Sequence, residues 1–331
     1  MSDPGTGAEP ASGRFTGLVV GAYAASPAHR SWDPVVESEF FEALAATAGV
    51  GALELPWSGS IHPHDDGWLH RRFPAALRAV VTDIPFTMGR IATAPEYGLA
   101  SVEAGGRQAA VAEVRRLLDG VRAFDHAQAR PVVGVVELHS APKGSRGSAD
   151  ALARSLDEIA AWNWGDVELV LEHCDAWREG RAPEKGFLDL ADELDAIERS
   201  GADIGVSLNW GRSVIEGRTT DTAVEHARLA AGRGLLKGFI ASGVADTDTE
   251  FGPAWIDAHL PFAPSPQILH GTTGSLMTER AVADVVTAAG RLEWAGVKVG
   301  CARADAPLAE RVALVAEAVA VMNRILADDT R

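Results

Sequence analysis

The sequence predicts an α/β protein built as a single (β/α)8 barrel. Three observations carry this reading. Eight short apolar runs alternate with stretches of helical period between residues 15 and 326, the pattern of a parallel sheet with helices outside it. Eight such units in a chain of 331 residues fit a barrel with long loops. The rival, an open doubly wound sheet, would carry a glycine-rich phosphate turn after its first strand. Gly17 and Gly21 do not make GxGxxG spacing, and the chain has no P-loop, GxSxG, HExxH or CxxC motif, so no nucleotide cofactor is expected.

The elements follow in order. Residues 15–23 (FTGLVVGAY) read as strand one. Asp33-Pro34 opens a helix to about residue 48, with Asp as N-cap, Pro at the first position and Phe40, Phe41 and Leu44 facing inward. Residues 50–56 (VGALELP) are strand two, with Glu54 near its end. His62, His64, Asp65 and Asp66 then fall in a turn, split by Pro63 and away from any strand end, so they read as a solvated loop rather than a metal cluster. Residues 79–85 (AVVTDIP) form strand three with Asp83 near its end, followed by a long loop over 86–100 and a strongly periodic helix over 101–126. Strand four, 131–138, ends in His139, and a helix covers 148–162. Strand five starts at 167 and ends in Glu172-His173-Cys174-Asp175, the densest run of reactive side chains in the chain. A helix over 187–200 stops at Gly201. Strand six, 203–208, ends in Asn209-Trp210-Gly211-Arg212, and a helix spans 220–232. Strand seven, 236–240, leads into a connection over 244–278, beyond the ~15 residues past which loops are usually functional or unstructured. A helix over 279–295, a short strand eight over 297–301 and a closing helix over 308–326 complete the pattern.

Composition narrows the function. Residues 1–14, rich in Gly, Ser, Pro and Ala, read as a disordered tail, and 15–331 as one barrel domain. The tail lacks the basic start and apolar stretch of a secretory signal. Net charge of −16 disfavours nucleic acid. No apolar run reaches the ~18–20 residues that span a bilayer. Two cysteines, Cys174 and Cys301, fit a reducing, cytoplasmic setting. Oligomeric state is left open, with pairing through the outer helices as the route to a homo-oligomer. Among nine tryptophans, Trp57 and Trp210 fall next to strand ends. They are candidate platforms for the apolar face of a sugar ring, against the plainer reading of core packing.

In such a barrel the chemistry sits at the carboxyl ends of the strands. Those ends carry Tyr23, Glu54, Asp83, Glu137 with His139, Glu172 with His173, Asn209 with Arg212, Ser242 with Asp246, and Lys298 with Cys301. Carboxylates and imidazole at adjacent ends suit Zn, Mn or Mg. Glu137 and His139 share strand parity. Glu172 and His173 are neighbours and point to opposite sides, so only one enters the barrel.

At these residues the chain resembles the xylose-isomerase-like TIM-barrel superfamily of sugar isomerases, epimerases and endonuclease IV-type nucleases. The Leu169-Val170-Leu171-Glu172 run resembles the family's strand-five end with its metal-binding Glu. Glu137-Leu138-His139-Ser140 resembles the strand-four end of the nuclease branch, and Asp257-Ala258-His259 its Asp-x-His after strand seven. The run from Ser242-Gly243 through Phe251-Gly252-Pro253 and Trp255 to Leu260-Pro261 is most similar to a bacterial domain-of-unknown-function family within it. The resemblance implies that Glu172 faces the site. It also marks departures. Asn209 and Arg212 stand where the superfamily has Asp and His, and strand eight ends in Lys298-Val299-Gly300-Cys301 without the family's Glu. A three-zinc nuclease site is thereby lost. Two arrangements remain: one divalent metal (Mn, Zn or Mg) on Glu172, Asp257, His259 and His139, or a metal-free site in which Arg212 or Lys298 supplies the positive charge.

The resulting expectation is an isomerase, epimerase or lyase acting on a small carbohydrate or sugar acid. Glu172 would be base or metal ligand, Arg212 and Lys298 electrophiles. Glu54, His139, Asn209, Trp57 and Trp210 would contact substrate. The alternatives are a metal-dependent hydrolase of the nuclease branch, using His139, Glu172, Asp257 and His259, and a non-catalytic carbohydrate-binding barrel.

Overall fold

The computed structural model describes residues 14–29 and 31–329. The expected tail lies outside the described residues except for Arg14, whose guanidinium pairs with Glu168 at 3.2 Å. Eight parallel strands close in sequence order: β1 (Leu18–Val20), β2 (Val50–Pro56), β3 (Arg78–Thr82), β4 (Val133–Leu138), β5 (Glu168–His173), β6 (Gly205–Asn209), β7 (Leu236–Ala241) and β8 (Trp294–Val297). β8 pairs back onto β1 through Val19↔Gly296 and Val20↔Val297. The outer helices are α1 (Ala22–Ala25), α2 (Pro34–Ala46), α3 (Asp66–Arg72), α4 (Ile84–Ile91), α5 (Ala104–Ala127) and α6 (Ala149–Ala160). They continue as α7 (Leu190–Ser200), α8 (Trp210–Gly217), α9 (Asp221–Gly232), α10 (Glu279–Ala289) and α11 (Leu308–Asp329).

Local signals explain most boundaries. Asp33 caps α2 by accepting from the Val35 and Val36 amides, with Pro34 at the first position. Gly201 ends α7 in the left-handed conformation at φ 64°. Three boundaries differ from expectation. The loop expected over 86–100 begins as helix α4, because Pro85 sits in its first turn, where a missing N–H costs nothing. Helix α8 starts at Trp210, directly at the end of β6, with the Asn209 side chain as its cap. Helix α10 ends at Gly290 rather than at residue 295, and the strand expected over 297–301 runs instead over Trp294–Val297.

The barrel interior is filled in layers, because alternate residues of each strand point inward. Phe15, Val19, Ala52, Val80, Val135, Val170, Ile240 and Trp294 form one apolar cluster, separate from the larger cluster packed against the helices. Two residues further along, β2 to β5 carry Glu54, Thr82, Glu137 and Glu172, and β6 adds Ser207. The floor of the barrel is therefore apolar and the layer above it polar. Small residues make room for large ones within this plan. A Cβ on Gly238 would lie 2.1 Å from the Trp294 ring, and one on Gly21 would lie 2.4 Å from Lys298 Cγ.

Replacing Gly238 with Ala forces the rigid indole to move and is expected to destabilise the barrel by about 1–3 kcal/mol. Gly105→Ala, in α5 with no atom near its added methyl, is expected to stabilise by about 0.5–1 kcal/mol. Urea unfolding followed by tryptophan fluorescence checks both. Equal effects of the two substitutions would contradict this account of the floor.

Candidate active site at the mouth of the barrel

Glu172 is buried at the end of β5 and takes three partners. Arg212 Nη1 lies 2.6 Å from its Oε2, His139 Nε2 lies 2.9 Å from the same oxygen, and Asn209 Nδ2 donates to Oε1 at 3.4 Å. Burial alone would raise its pKa, but the Arg212 charge and the His139 hydrogen bond outweigh burial and hold the carboxyl well below its ordinary range. The other nitrogen of His139 meets Asp83. Burial opposes charge on this ring, yet its two carboxylate partners, Asp83 and Glu172, raise its pKa.

Arg212 is the centre of this network. Its Nε donates to Asp257 Oδ2 at 3.1 Å and its Nη1 reaches Cys174 Sγ at 3.4 Å, while the side chain is 1 % exposed. It arrives there because α8 begins at once after β6. Asn209 Oδ1 accepts the Arg212 amide, and the first helical turn throws the guanidinium across the barrel mouth. Asp257 takes a second cation, Lys185 Nζ, on the same Oδ2 at 3.0 Å. Its carboxyl is held well below the usual range, since Lys185, His259 and Arg212 overcome the burial that would raise it. His259 Nδ1 lies 2.9 Å from the Ser242 hydroxyl and 3.3 Å from Asp257.

On the opposite side, Lys298 Nζ donates to Glu54 Oε1 at 2.6 Å and lies 4.6 Å from the centre of the Tyr23 ring. Glu54 Oε2 is buried without a hydrogen-bond partner among the described residues. Burial raises the Glu54 pKa, and Lys298 only partly offsets it. Deeper in, Glu137 accepts from Ser207 Oγ at 3.0 Å, and burial next to Glu172 and Glu54 raises its carboxyl well above the ordinary value. Glu137 and His139 thus both face inward.

A cavity of about 340 Å³ opens beside Glu54 and Tyr23. Its outer wall is Glu37, Ile61, His62 and His64. The His-Pro-His-Asp-Asp segment is exposed, as expected, at Pro63 and His64 and half-buried at Asp65 and Asp66, but His62 is buried. His62 is 4 % exposed, its Nδ1 accepts the Asp65 amide at 2.9 Å, and its Nε2 faces Glu37 at 3.2 Å, where Trp32 Nε1 also donates at 2.8 Å. The proton of that ring therefore sits on Nε2.

The two candidate sugar platforms lie elsewhere. Trp57 donates from Nε1 to Glu113 at 2.8 Å and its ring packs on Gly120 of α5. Trp210 is fully buried, shares outward parity with Leu208 and joins the sheet–helix core. Both are corrected from substrate contacts to packing residues. Their neighbouring strand ends face inward, and the alternation that places Asn209 in the site removes Trp210 from it.

The expected metal quartet fares poorly on the chemistry of its donors. Arg212 binds Glu172 and Asp257 together, so a guanidinium fills the place between the two carboxylates, and both His139 nitrogens already face acids. A resident divalent ion on Glu172, Asp257, His259 and His139 does not fit this arrangement. Among the described residues, the ligand atoms that do converge, within 4.8 Å, belong to His173, Glu216 and His226. They lie behind β5, where His173 points outward to Glu193 at 2.7 Å and Glu216 at 3.2 Å. Burial opposes the His173 charge, but these two carboxylates lift its pKa to about 10. Burial and the His173 charge push His226 down to about 3. With His173 protonated and Arg178 bound to Glu216 at 2.5 Å, this cluster is a closed ion-pair buttress for β5.

Sequence reasoning missed Lys185 and the Glu37–His62 wall. Lys185 sits in the loop after β5, where the Asp175 carboxylate accepts the amides of Glu184, Lys185 and Gly186. The available signal was a lysine in the loop that follows the strand-five aspartate, next to Gly186.

Fold and site together define a (β/α)8 barrel whose mouth holds a buried network of paired charges. The family model described as Domain of unknown function (DUF4862) matches residues 19–314, and the chain belongs to that family. It is 37 % identical over 316 residues to an uncharacterised protein of Salmonella typhimurium, covering 93 % of this chain and 97 % of that one. Its fold matches a solved L-ribulose 3-epimerase at TM-score 0.59 and 18 % identity, covering 96 % of each chain. It also matches a xylose isomerase domain containing protein from Salmonella typhimurium at TM-score 0.58 and 12 % identity, over 98 % of this chain and 100 % of that one. A third match is the IolI protein with a bound zinc atom, at TM-score 0.55 and 12 % identity, over 95 % of this chain and 98 % of that one. No helix among the described residues is long and apolar enough to cross a membrane.

The histidine pair behind β5 predicts a stability optimum. His173, raised when folded, stabilises fully below its unfolded pKa of about 6.5, and that contribution is lost as pH rises toward 10. His226, lowered when folded, stabilises above about 6.5 and loses its contribution as pH falls. Each limb slopes by at most about 1.4 kcal/mol per pH unit. The stability difference between wild type and His173→Gln, from urea unfolding, is expected to shrink from pH 6.5 to 10. A constant difference would contradict the assignment.

Proposed function

We propose that the protein is an isomerase or epimerase of a carbohydrate or sugar acid that works by carboxylate-mediated proton transfer. The observation that carries this reading is Glu54. It has one oxygen held by Lys298, the other unpartnered, a raised pKa, and a place on the wall of the cavity at the barrel mouth. A base with a free lone pair and enhanced basicity, beside a buried ammonium, is what enolisation requires. The likeness in fold to solved sugar epimerases supports the class.

In this reading Glu54 Oε2 takes the proton from the carbon next to a sugar carbonyl, and the Lys298 ammonium holds the charge that develops on oxygen. Return of the proton from Glu54 to the neighbouring carbon, with the hydroxyl proton passing to the former carbonyl oxygen, isomerises the sugar. Epimerisation of the first carbon instead takes a proton from a second donor on its opposite face. Glu172, the base expected from sequence, has a different part here. Three donors and a strongly depressed pKa make it a poor proton acceptor, and it anchors Arg212 and His139 instead. Arg212 and Lys298 supply the positive charge, and no step runs through a metal. The reaction takes place inside the protein, in a cavity within the usual range of ligand-pocket volumes.

Incubating the protein with ketoses, aldoses and uronates in D2O tests the proposal. Deuterium is expected to enter one carbon-bound position of at least one sugar. Glu54→Gln is expected to slow that exchange by roughly 10²–10⁴-fold, with the fold checked by circular dichroism. Exchange that survives Glu54→Gln would remove Glu54 as the base.

A further inference from the structure

We propose that Arg212 and Lys185 form a binding subsite for a substrate carboxylate, and that Asp257 occupies this subsite as a resident anion until substrate replaces it. The inference rests on the reading of the barrel mouth as a sugar-processing site and names its substrate class: a sugar acid.

The geometry is that of a bound ligand. A single oxygen, Asp257 Oδ2, accepts from Arg212 Nε at 3.1 Å and from Lys185 Nζ at 3.0 Å. The two cations come from different elements, the first turn of α8 and the loop after β5, while the anion comes from the long connection after β7. The segment that delivers it is strained on both sides. Trp255, at φ 64°, and His259, at φ 55°, are both non-glycine residues in the left-handed region. Asp257 is thus inserted by a loop held in an unfavourable backbone conformation, which relaxes when the carboxylate is displaced.

The subsite also adjoins the reaction cavity. Tyr23, a lining residue of that cavity, meets His259 edge-on with ring centres 6.3 Å apart. Withdrawal of Asp257 carries His259 with it and joins the cavity beside Glu54 to the cations of Arg212 and Lys185. A substrate lying across this space would place its carboxylate on the cations and its reactive carbon near Glu54 Oε2.

Charge decides between a carboxylate and a phosphate. Arg212, Lys185 and Lys298 face Glu54, Glu172, Glu184 and Asp257, and His139 lies between Asp83 and Glu172. With Asp257 in place the cations have no excess over the acids. A monoanion that replaces it preserves the balance, whereas a phosphate dianion adds uncompensated negative charge in a buried setting. A neutral sugar would leave Arg212 with Glu172 alone and Lys185 with Glu184 alone, at 3.5 Å, and has no charge with which to displace Asp257.

Calorimetric titration with D-glucuronate and D-glucose, which differ in whether the terminal carbon is a carboxylate or a hydroxymethyl, tests the inference. Asp257→Asn removes the competing charge and is expected to bind glucuronate at least tenfold tighter than wild type. Lys185→Met is expected to bind it at least tenfold more weakly, which keeps the test open if the first variant does not fold. Glucose binding is expected to change less than twofold in both. Backbone hydrogen exchange over residues 250–260 of the wild type is expected to quicken when glucuronate binds. Failure of Asp257→Asn to tighten glucuronate binding, or an equal gain for glucose or inorganic phosphate, would overturn the inference. The two readings fail separately. Deuterium entry into neutral sugars with the Asp257 effect absent keeps the proposed reaction and discards the subsite. The Asp257 effect without deuterium entry does the reverse.

Discussion

The arrangement of the barrel mouth depends on one contact, the ion pair between Arg212 and Glu172, with 2.6 Å between nitrogen and oxygen and both side chains 1 % exposed. Two charges this deeply buried are stable only when further partners satisfy them. Each therefore recruits others. Glu172 holds His139, which holds Asp83, and Arg212 holds Asp257, which holds Lys185. Five of the eight strand ends are tied together in this way. Removing one member leaves its partner charged and dry, at a cost of about 3–5 kcal/mol. The network is thus rigid, and the unpartnered oxygen of Glu54 at its margin stands out against it.

The barrel delivers this chemistry by simple alternation. Residues two apart on each strand share a face, so the strands that carry Ala52, Val80, Val135 and Val170 into the floor carry Glu54, Thr82, Glu137 and Glu172 into the layer above. Trp294 plugs the floor because Gly238 leaves space for it, and Lys298 crosses the layer above because Gly21 does the same. The acids therefore stand above a dry apolar base. Burial is the largest influence on the pKa of Glu54, Glu137 and Glu172; Lys298 offsets it only in part at Glu54, while Arg212 and His139 together overcome it at Glu172. One strand supplies two unlike environments. Glu172 faces the site, and His173 is clamped between Glu193 and Glu216 on the outside.

Much of this was legible in the sequence. The eight apolar runs gave the strand order, and β2 falls on the predicted residues 50–56. Strand parity required Glu172 and His173 to point apart. The departures from the superfamily pattern, Asn209, Arg212 and Lys298, all lie in the site. What could not be read was decided by contacts distant in sequence. Only the fold shows that Arg212 reaches across to both Glu172 and Asp257, so that the carboxylates expected to bind a metal bind an arginine. Trp57 and Trp210 looked like platforms because they follow strand ends, and the pleat turned both into the core. The strand at Trp294 was hidden because helical periodicity runs on through Gly290 to the next apolar residues. The burial of His62 within an otherwise solvated segment could not be read, because it depends on Trp32, Glu37 and Trp68.

The central claim is that guanidinium and ammonium groups, rather than a divalent metal, supply the positive charge at the barrel mouth. Metal analysis of the protein purified without chelator, run beside Glu172→Gln, tests it most directly. The account predicts substoichiometric divalent metal in the wild type and no loss of metal in the variant. One equivalent of a divalent ion per chain that disappears with Glu172→Gln would contradict it.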